Sequence, residues 1–591
     1  MKIRVIGSFI RGALVLSLGS MVLGSCQKTF NIQPQTTLSS AQMYRNVYDA
    51  DAAVIGIYGK LMGLAKQYVV LNELRADLMD VTVNADDTLR QINTHSVLPG
   101  NSYADPRPFF SLINDCNDVL KNFNIMLAQN KFKLVEYQQR YSDIGALRSW
   151  LYLQLGIHFG TVPYVTDPLE TIDAVKDLSK YPLIPFNQLL DSLINFTQSL
   201  PTLLPYPTGT DLMIASVDNN NTEAFFIEKN GLLGDLHLWK GDYTQAATYY
   251  RNLMESTGYT DNGVNSVGGN QYYQQFKQPY ASVTDNNDLC VGYIRYHEMD
   301  INSLVDNNSQ GWRSMFARGQ DALFYQQMIW VLPFNASFAP VNPFIDLFSN
   351  TGGRYLVMPS QAAMDNWNSQ TQQNGFPFDA RGNFTWRTVN GQPVIMKYLY
   401  NYVDGTTFLP TNALTKNGQW FLNRSASVHL RYAEAANRDN RHKLAYALVN
   451  FGISTTFDTS TLANRDVTNL QNTLFDSYPY NFDARNGTYP YYRGSWYRNA
   501  GLRGCARVNA YTLAGDSTMA IENMILSEGA LELAYEGYRW SDLLRIALRR
   551  NDPSLLANAI YTKLVKDNNP DAATVRAKLM NPANWYLPFK W

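Results

Sequence analysis

Apolar side chains recur every three or four positions along several stretches of the chain, the spacing of a helix that buries one face. The plainest case is Tyr141 to Gly160, where Ile144, Leu147, Leu151 and Leu155 share a stripe and Gly160 and Pro163 end the run. A second helix is expected from Pro185 to Leu200, with Leu189, Leu190, Leu193 and Phe196 inward and Pro201 as its stop. Nearer the start, Met43, Val47, Ala52, Ile55, Tyr58 and Leu61 set a helical register behind the capping pair Ser39-Ser40. Toward the end, Glu522 to Arg550 predicts a helix carrying Ile525, Leu526, Leu531 and Leu533, a break at Gly537 and a second short helix. The closing Asn584-Trp585-Tyr586-Leu587-Pro588-Phe589 is extended and apolar, a tail suited to packing back on the body.

One stretch carries more than periodicity. Gly231 to Met254 reads GLLGDLHLWKGDYTQAATYYRNLM. On the tetratricopeptide pattern, Leu233-Gly234 falls on the Leu-Gly pair, His237 on a core position, Gly241-Asp242-Tyr243 on the turn and Ala246 and Tyr250 on the second helix. Small Gly234 and Ala246 would let two helices approach while Leu233, Tyr243 and Tyr250 fill the gap; Asn230 stands where the pattern has Trp. One such unit cannot cover its own outer face, so neighbours are required. His429 to Asn450 is either a weaker copy or an unrelated helical hairpin, and residues 141–200 supply a third candidate pair. Between about Asp261 and Asn423 the helical signal gives way to Asn, Gln, Gly, Pro and aromatic residues, which reads as long loops with short strands such as Leu289 to Tyr296.

The N-terminus changes the setting. Met1-Lys2-Ile3-Arg4 and Arg11 precede a short apolar run, Gly12 to Gly24, too short for the ~20 apolar residues that cross a bilayer. Leu23-Gly24-Ser25-Cys26 looks like a bacterial lipobox, which makes residues 1–25 a lipoprotein signal peptide, Cys26 the acylated residue and 26–40 a polar tether. Residues 41–591 then form one domain. Loss of Lys2, Arg4 and Arg11 takes the formal charge from −1 to −4, which argues against a nucleic-acid partner. Cys116, Cys290 and Cys505 are widely spaced and odd in number, and are expected to be buried thiols.

Catalytic and metal signals are sparse. The six histidines form no HExxH or other metal spacing, and no G-x-S-x-G, Walker or G-x-G-x-x-G motif occurs. Asp86-Asp87 or Asp49 with Asp51 could mimic a glycosidase pair, but fifty acidic residues make such neighbours inevitable. Asp218 to Glu223 could offer oxygens to calcium but lacks the EF-hand glycine, and a polar turn before a helix is the simpler reading. No enzymatic activity, cofactor or metal is expected. The 13% of aromatic residues suits both helix packing and ligand faces.

Five segments in order resemble the SusD/RagB nutrient-uptake lipoproteins: the lipobox, Arg148 to Pro163, Gly231 to Met254, Arg431 to Ala435, and Glu532-Leu533-Ala534-Tyr535-Glu536-Gly537-Tyr538-Arg539-Trp540-Ser541-Asp542-Leu543. The resemblance implies a mainly α fold: a monomeric, tetratricopeptide-like helical-hairpin scaffold with loop-rich insertions and a few short strands. It also implies a lipid-anchored, outward-facing protein of the outer membrane that captures oligosaccharide and passes it to a SusC-type TonB-dependent transporter. Some relatives take peptides instead, and a scaffold without small ligands would share the repeat. Gln27-Lys28 stands where surface-exported relatives carry acidic residues, which leaves the periplasmic face open too. By the same resemblance, ligand contacts are expected from residues 73–105, with Arg75, Asp77, Asp87 and Arg90, and from about 293–330, with Trp312, Tyr325 and Trp330.

Overall fold

The computed structural model describes residues 43–171, 180–207, 210–213, 222–255, 312–317, 328–373, 375–457, 477–481 and 501–590. Cys26, Cys290, Tyr325, the Leu289 to Tyr296 stretch and most of the 218–223 turn lie outside them.

Helix α1 (Val47–Leu61) starts where the Asn46 side chain accepts the amides of Tyr48 and Asp49. Ala50, Val54, Ile57, Tyr58 and Leu61 face the core, whereas Met43, Ala52 and Ile55 face solvent. The expected register therefore mixed two faces. Ala, Ile, Val and Gly surround most of this helix, so spacing alone cannot choose its buried side. The chain continues helically to Leu74, ending in a π-turn, Val70–Leu74. Strand β1 (Met79–Val81) and helix α2 (Asp87–Asn93), capped by Asp86, follow.

Helices α3 (Arg107–Ala128) and α4 (Leu134–Phe159) pack side by side. From Ser142 to Phe159 every residue of α4 is buried, so the amphipathic stripe expected there is one side of a fully enclosed helix. Its arginines are held internally, Arg140 by the Asp51 carboxylate at 2.6 Å and Arg148 by a hydrogen bond to Asn117 Oδ1 at 2.7 Å. Strands β2 (Thr161–Pro163) and β3 (Leu183–Pro185) pair, and α5 (Phe186–Gln198) returns along α4. The close approach depends on Gly156, where a Cβ would come within 2.3 Å of the Phe186 ring.

Helices α6 (Lys229–Lys240) and α7 (Tyr243–Glu255) form the expected pair, turned by Gly241 at φ 93°. Gly234 lies flat on Tyr250, where a Cβ would sit 2.4 Å from the ring, and the phenol donates to Asp235. His237 is a packing residue, stacked on Tyr249 at 5.4 Å with its ring against Gln198. A further hairpin, α11 (Ser425–Arg438) with α12 (His442–Val449), packs on α7.

Between these hairpins, the described part of the stretch expected to be loops is largely folded interior. Strand β4 (Met328–Phe334) is buried along its whole length and pairs antiparallel with β8 (Gly418–Arg424), Val331 opposite Phe421. A strand covered on both faces shows no alternation, which is why the pattern does not announce it. Helix α8 (Pro343–Phe348), strand β5 (Val357–Pro359), helices α9 (Gln361–Asn368) and α10 (Ala380–Thr385), and a hairpin of β6 (Trp386–Val389) and β7 (Gln392–Ile395) complete it. That hairpin turns at Asn390-Gly391, both at positive φ, as a tight turn requires.

Helices α13 (Ser517–Glu532), α14 (Arg539–Arg550), α15 (Pro553–Lys566) and α16 (Ala572–Leu579) close the chain. The tail packs back as expected: Trp585 and Leu587 are buried, and the Leu587 amide donates to the His158 carbonyl. The cysteine expectation holds for Cys116, a buried free thiol, but not for Cys505, which is disulfide-bonded.

Candidate functional site

The first stretch expected to carry ligand contacts, residues 73–105, is joined by a backbone ladder to residues 354–359, which lie beyond the second stretch expected at about 293–330. β1 pairs antiparallel with β5, Asp80 opposite Met358. Beyond the strand end, Thr82 donates from its amide to Leu356 O (3.0 Å) and from Oγ1 to Tyr355 O, and Asn84 Nδ2 donates to Arg354 O at 3.0 Å. Arg354 in turn grips the Asp346 carboxylate through Nε and Nη2. Lys66 lies 5.6 Å over the Tyr103 ring, held below the usual lysine range by burial and then by the Arg354 charge. Asp87 and Arg90 stand at the surface of this face, with Arg90 Nη2 donating to the Val83 carbonyl. Val83, 88% exposed, and Leu98, 60% exposed, are apolar tips beside them. Polar donors and acceptors next to short apolar surfaces are what a sugar ring, with its hydroxyls and C–H faces, can use.

Four other expected contacts are interior and have internal partners. Arg75 stacks 3.8 Å over Trp540 and donates to the carbonyl of Trp585 and to Nδ1 of His158. Burial pushes its guanidinium down to about 9 and, with the Arg75 charge, keeps His95 and His158 well below the histidine range. Asp77 is bound bidentately by Arg539 at 2.6 and 2.7 Å. Trp312 is fully buried with Nε1 on Thr385, and Trp330 is buried edge-on to Trp150 with Nε1 on the Phe225 carbonyl. These four side chains hold the fold, so the expectation of ligand contact is corrected for them. Arg and Trp in stretches without helical periodicity suggested loops, but those stretches are turns and strands inside the body. Asp86, one member of the carboxylate pair, caps α2 through the Leu89 amide.

Residue spacing also concealed a second constellation. Glu528, Glu532 and Glu536 lie four apart and meet Arg381, Arg424, Lys397 and Arg503 in the interior, with Asp379 completing the set. Arg424 alone reaches Glu532 Oε1 at 2.7 Å, Glu532 O at 2.7 Å and both oxygens of Glu536 at 2.7 and 3.0 Å. Burial raises the Glu532 carboxyl, but Arg424 and Arg381 outweigh it and hold it below the usual range. Three glutamates spaced four apart at the end of an apolar helical run were the available signal; a solvated face would look the same. Glu73 from the π-turn caps the following turn, accepting the amides of Tyr535, Gly537, Tyr538 and Arg539, and burial pushes its carboxyl up to about 7. Tyr535 at φ 73° and Gly537 at φ 93° aim those amides inward. The Glu-Leu-Ala-Tyr-Glu-Gly segment is thus a structural device.

A small cavity between Tyr68, Trp150, Trp330, Gln154 and Arg431 has a volume of about 40 Å³, far below the ~300–1,000 Å³ of small-molecule sites. Among the described residues no group of three or more His, Cys, Asp or Glu is placed to hold a metal ion.

Residues 499–590, which contain the Glu532 and Glu536 carboxylates, match the model of the SusD family. The chain thus resembles the SusD family in its C-terminal part. Its fold agrees with this over nearly the whole length. A SusD superfamily protein from Bacteroides vulgatus is 14% identical with a TM-score of 0.54, over 91% of this chain and 92% of that one. A SusD-like carbohydrate-binding protein from Bacteroides fragilis is 14% identical with a TM-score of 0.53, over 87% and 88%. Surface glycan-binding protein A from Bacteroides thetaiotaomicron, solved with laminarihexaose, is 13% identical with a TM-score of 0.52, over 92% and 96%. No curated protein matches this chain in sequence.

Proposed function

We propose that this chain is a SusD-like binding protein that captures oligosaccharide and hands it to a SusC-type TonB-dependent transporter, tethered to the outer membrane through acylated Cys26 and facing outward. The observation that carries the reading is the β1–β5 ladder, which sets Asn84, Asp87 and Arg90 beside Arg354 on one exposed face of a SusD fold. A neutral sugar needs such directed polar groups without an unbalanced charge, and Asp346 and Asp87 offset the two arginines. The fold is shared with a protein solved in complex with laminarihexaose. Residues 26–40 would form the tether between the membrane and the helical body.

Isothermal titration of the mature chain with laminari-, malto- and cello-oligosaccharides, and with a peptide panel, tests the ligand. Heat with an oligosaccharide, weakened at least tenfold by Asp87→Ala with Arg90→Ala, is expected. Heat with peptides alone would move the assignment to peptide capture, and heat with neither would leave a protein-interaction scaffold. Purification of the native lipoprotein from outer membranes should recover a large β-barrel, and its absence would remove the hand-off.

A further inference from the structure

A second concavity lies on the helical scaffold and shares no lining residue with the loop face: an open cleft of about 560 Å³ between α3, α4, α5 and residues 166–168. That volume falls within the ~300–1,000 Å³ of small-molecule sites. Its walls are fixed by bonds within the chain. Asn117 on α3 donates Nδ2 to the carbonyls of Val165 and Asp167 at 3.1 and 3.2 Å, and its Oδ1 accepts Arg148 Nη1 at 2.7 Å. Arg148 also donates to the Thr166 carbonyl at 3.2 Å and lies 4.3 Å over the Phe196 ring. One network therefore holds the loop wall, the cation and an aromatic ring in place before any ligand arrives, which lowers the ordering cost of binding.

The opposite wall is apolar and aromatic. Tyr141 stacks tilted on Tyr137 at 5.1 Å, and Ile125, 42% exposed, stands at the lining beside it. Asn124 and Asp167 are exposed lining residues. The charge is balanced, since Lys121 is paired with Glu170 and Arg148 has Asp167 near it in the same lining. A phosphate or carboxylate ligand would find no surplus of cations here, whereas a ring with apolar faces and a hydroxyl edge finds both partners.

From this we infer that the cleft is a second saccharide site, taking a neutral sugar unit independently of the loop face. The inference rests on the reading of the chain as an oligosaccharide binder and deepens it. The test is titration of the mature full chain with laminarihexaose, maltohexaose and cellohexaose, in parallel with Tyr141→Ala and Ile125→Trp. The second variant fills the cleft from an exposed position and leaves the core untouched. Two sites per chain are expected, with each variant weakening one of them at least tenfold while Asp87→Ala with Arg90→Ala leaves that site intact. A single site, or two sites indifferent to both cleft variants, overturns the second site and leaves the proposed function standing. Binding of peptides alone, lost in Ile125→Trp, overturns the ligand class. No binding by any hexasaccharide overturns this inference and the proposed function together.

Discussion

Replacing Arg424 by Met removes the cation that touches Glu532 and Glu536 through four hydrogen bonds of 2.7 to 3.0 Å, in surroundings with no exposed side-chain surface to speak of. Methionine keeps the bulk and deletes the charge. Arg381 and Lys397 remain, but each carboxylate loses half of its ionic partners. Breaking a buried pair typically costs ~3–5 kcal/mol, because the remaining charge is stranded in low dielectric. The surface pair Arg354–Asp346, with side chains 58% and 36% exposed, sets the scale by contrast at about 0–1 kcal/mol. The assay is urea unfolding of the mature chain followed by tryptophan fluorescence, for Arg424→Met, Glu536→Gln, the double variant and Asp346→Asn. Arg424→Met should lose roughly 3–5 kcal/mol, and the double variant should recover part of this, with a coupling of ~0.5–3 kcal/mol. A loss near that of Asp346→Asn, or strict additivity of the two changes, would refute the claim that this cluster is a coupled interior network.

Other consequences are open to direct measurement. Gly234→Ala places a methyl against the Tyr250 ring and should cost ~1–3 kcal/mol in the same unfolding assay, whereas Gly59→Ala, with open space around it, should stabilise by a few tenths to ~1 kcal/mol. Trp330→Ala should lower stability by ~3–5 kcal/mol while leaving oligosaccharide affinity unchanged at temperatures where the protein is folded. Asp143 accepts from the Tyr58 hydroxyl, and burial pushes its carboxyl up from 3.8 to about 7, so the folded state binds this proton more tightly than the unfolded state. Its contribution is fully present below pH 3.8 and is lost as pH rises through about 7; Asp143→Asn should flatten that part of the stability profile, by up to ~4 kcal/mol. Cys26→Ala should release the protein from membranes in a flotation gradient; retention would remove the proposed anchor.

Much of the scaffold could be read from residues alone because its helices announce themselves. Gly160 and Pro201 end α4 and α5 where expected, and Gly234 with Ala246 marks the close contact of α6 and α7. The failures have physical causes. In α1 an almost uniformly apolar sequence gave a register that faces Ile55 to solvent. β4 and β8, covered on both sides, carry no alternation, so a buried ribbon resembled loop. The candidate face was legible only in part: Asp87 and Arg90 are exposed, but Arg354 was not foreseen, and which side chains reach solvent depends on partners some 460 to 510 positions away, as with Asp77 on Arg539 and Arg75 on Trp585. Asp87 and Arg90 escape that dependence because they lie on a short helix at the edge.

The capping of residues 535–539 by Glu73 sets a limit on how the segment matched to the SusD family can behave when separated from the rest. Excised or grafted elsewhere, residues 499–590 would carry inward-aimed peptide N–H groups with no acceptor, and glutamates 528, 532 and 536 would lose cations supplied by Arg381, Lys397 and Arg424. Such a fragment would lose the partners that hold it in the full chain. Exchange of this region between relatives would keep those bonds only where the groups at 73, 381, 397 and 424 are matched to it.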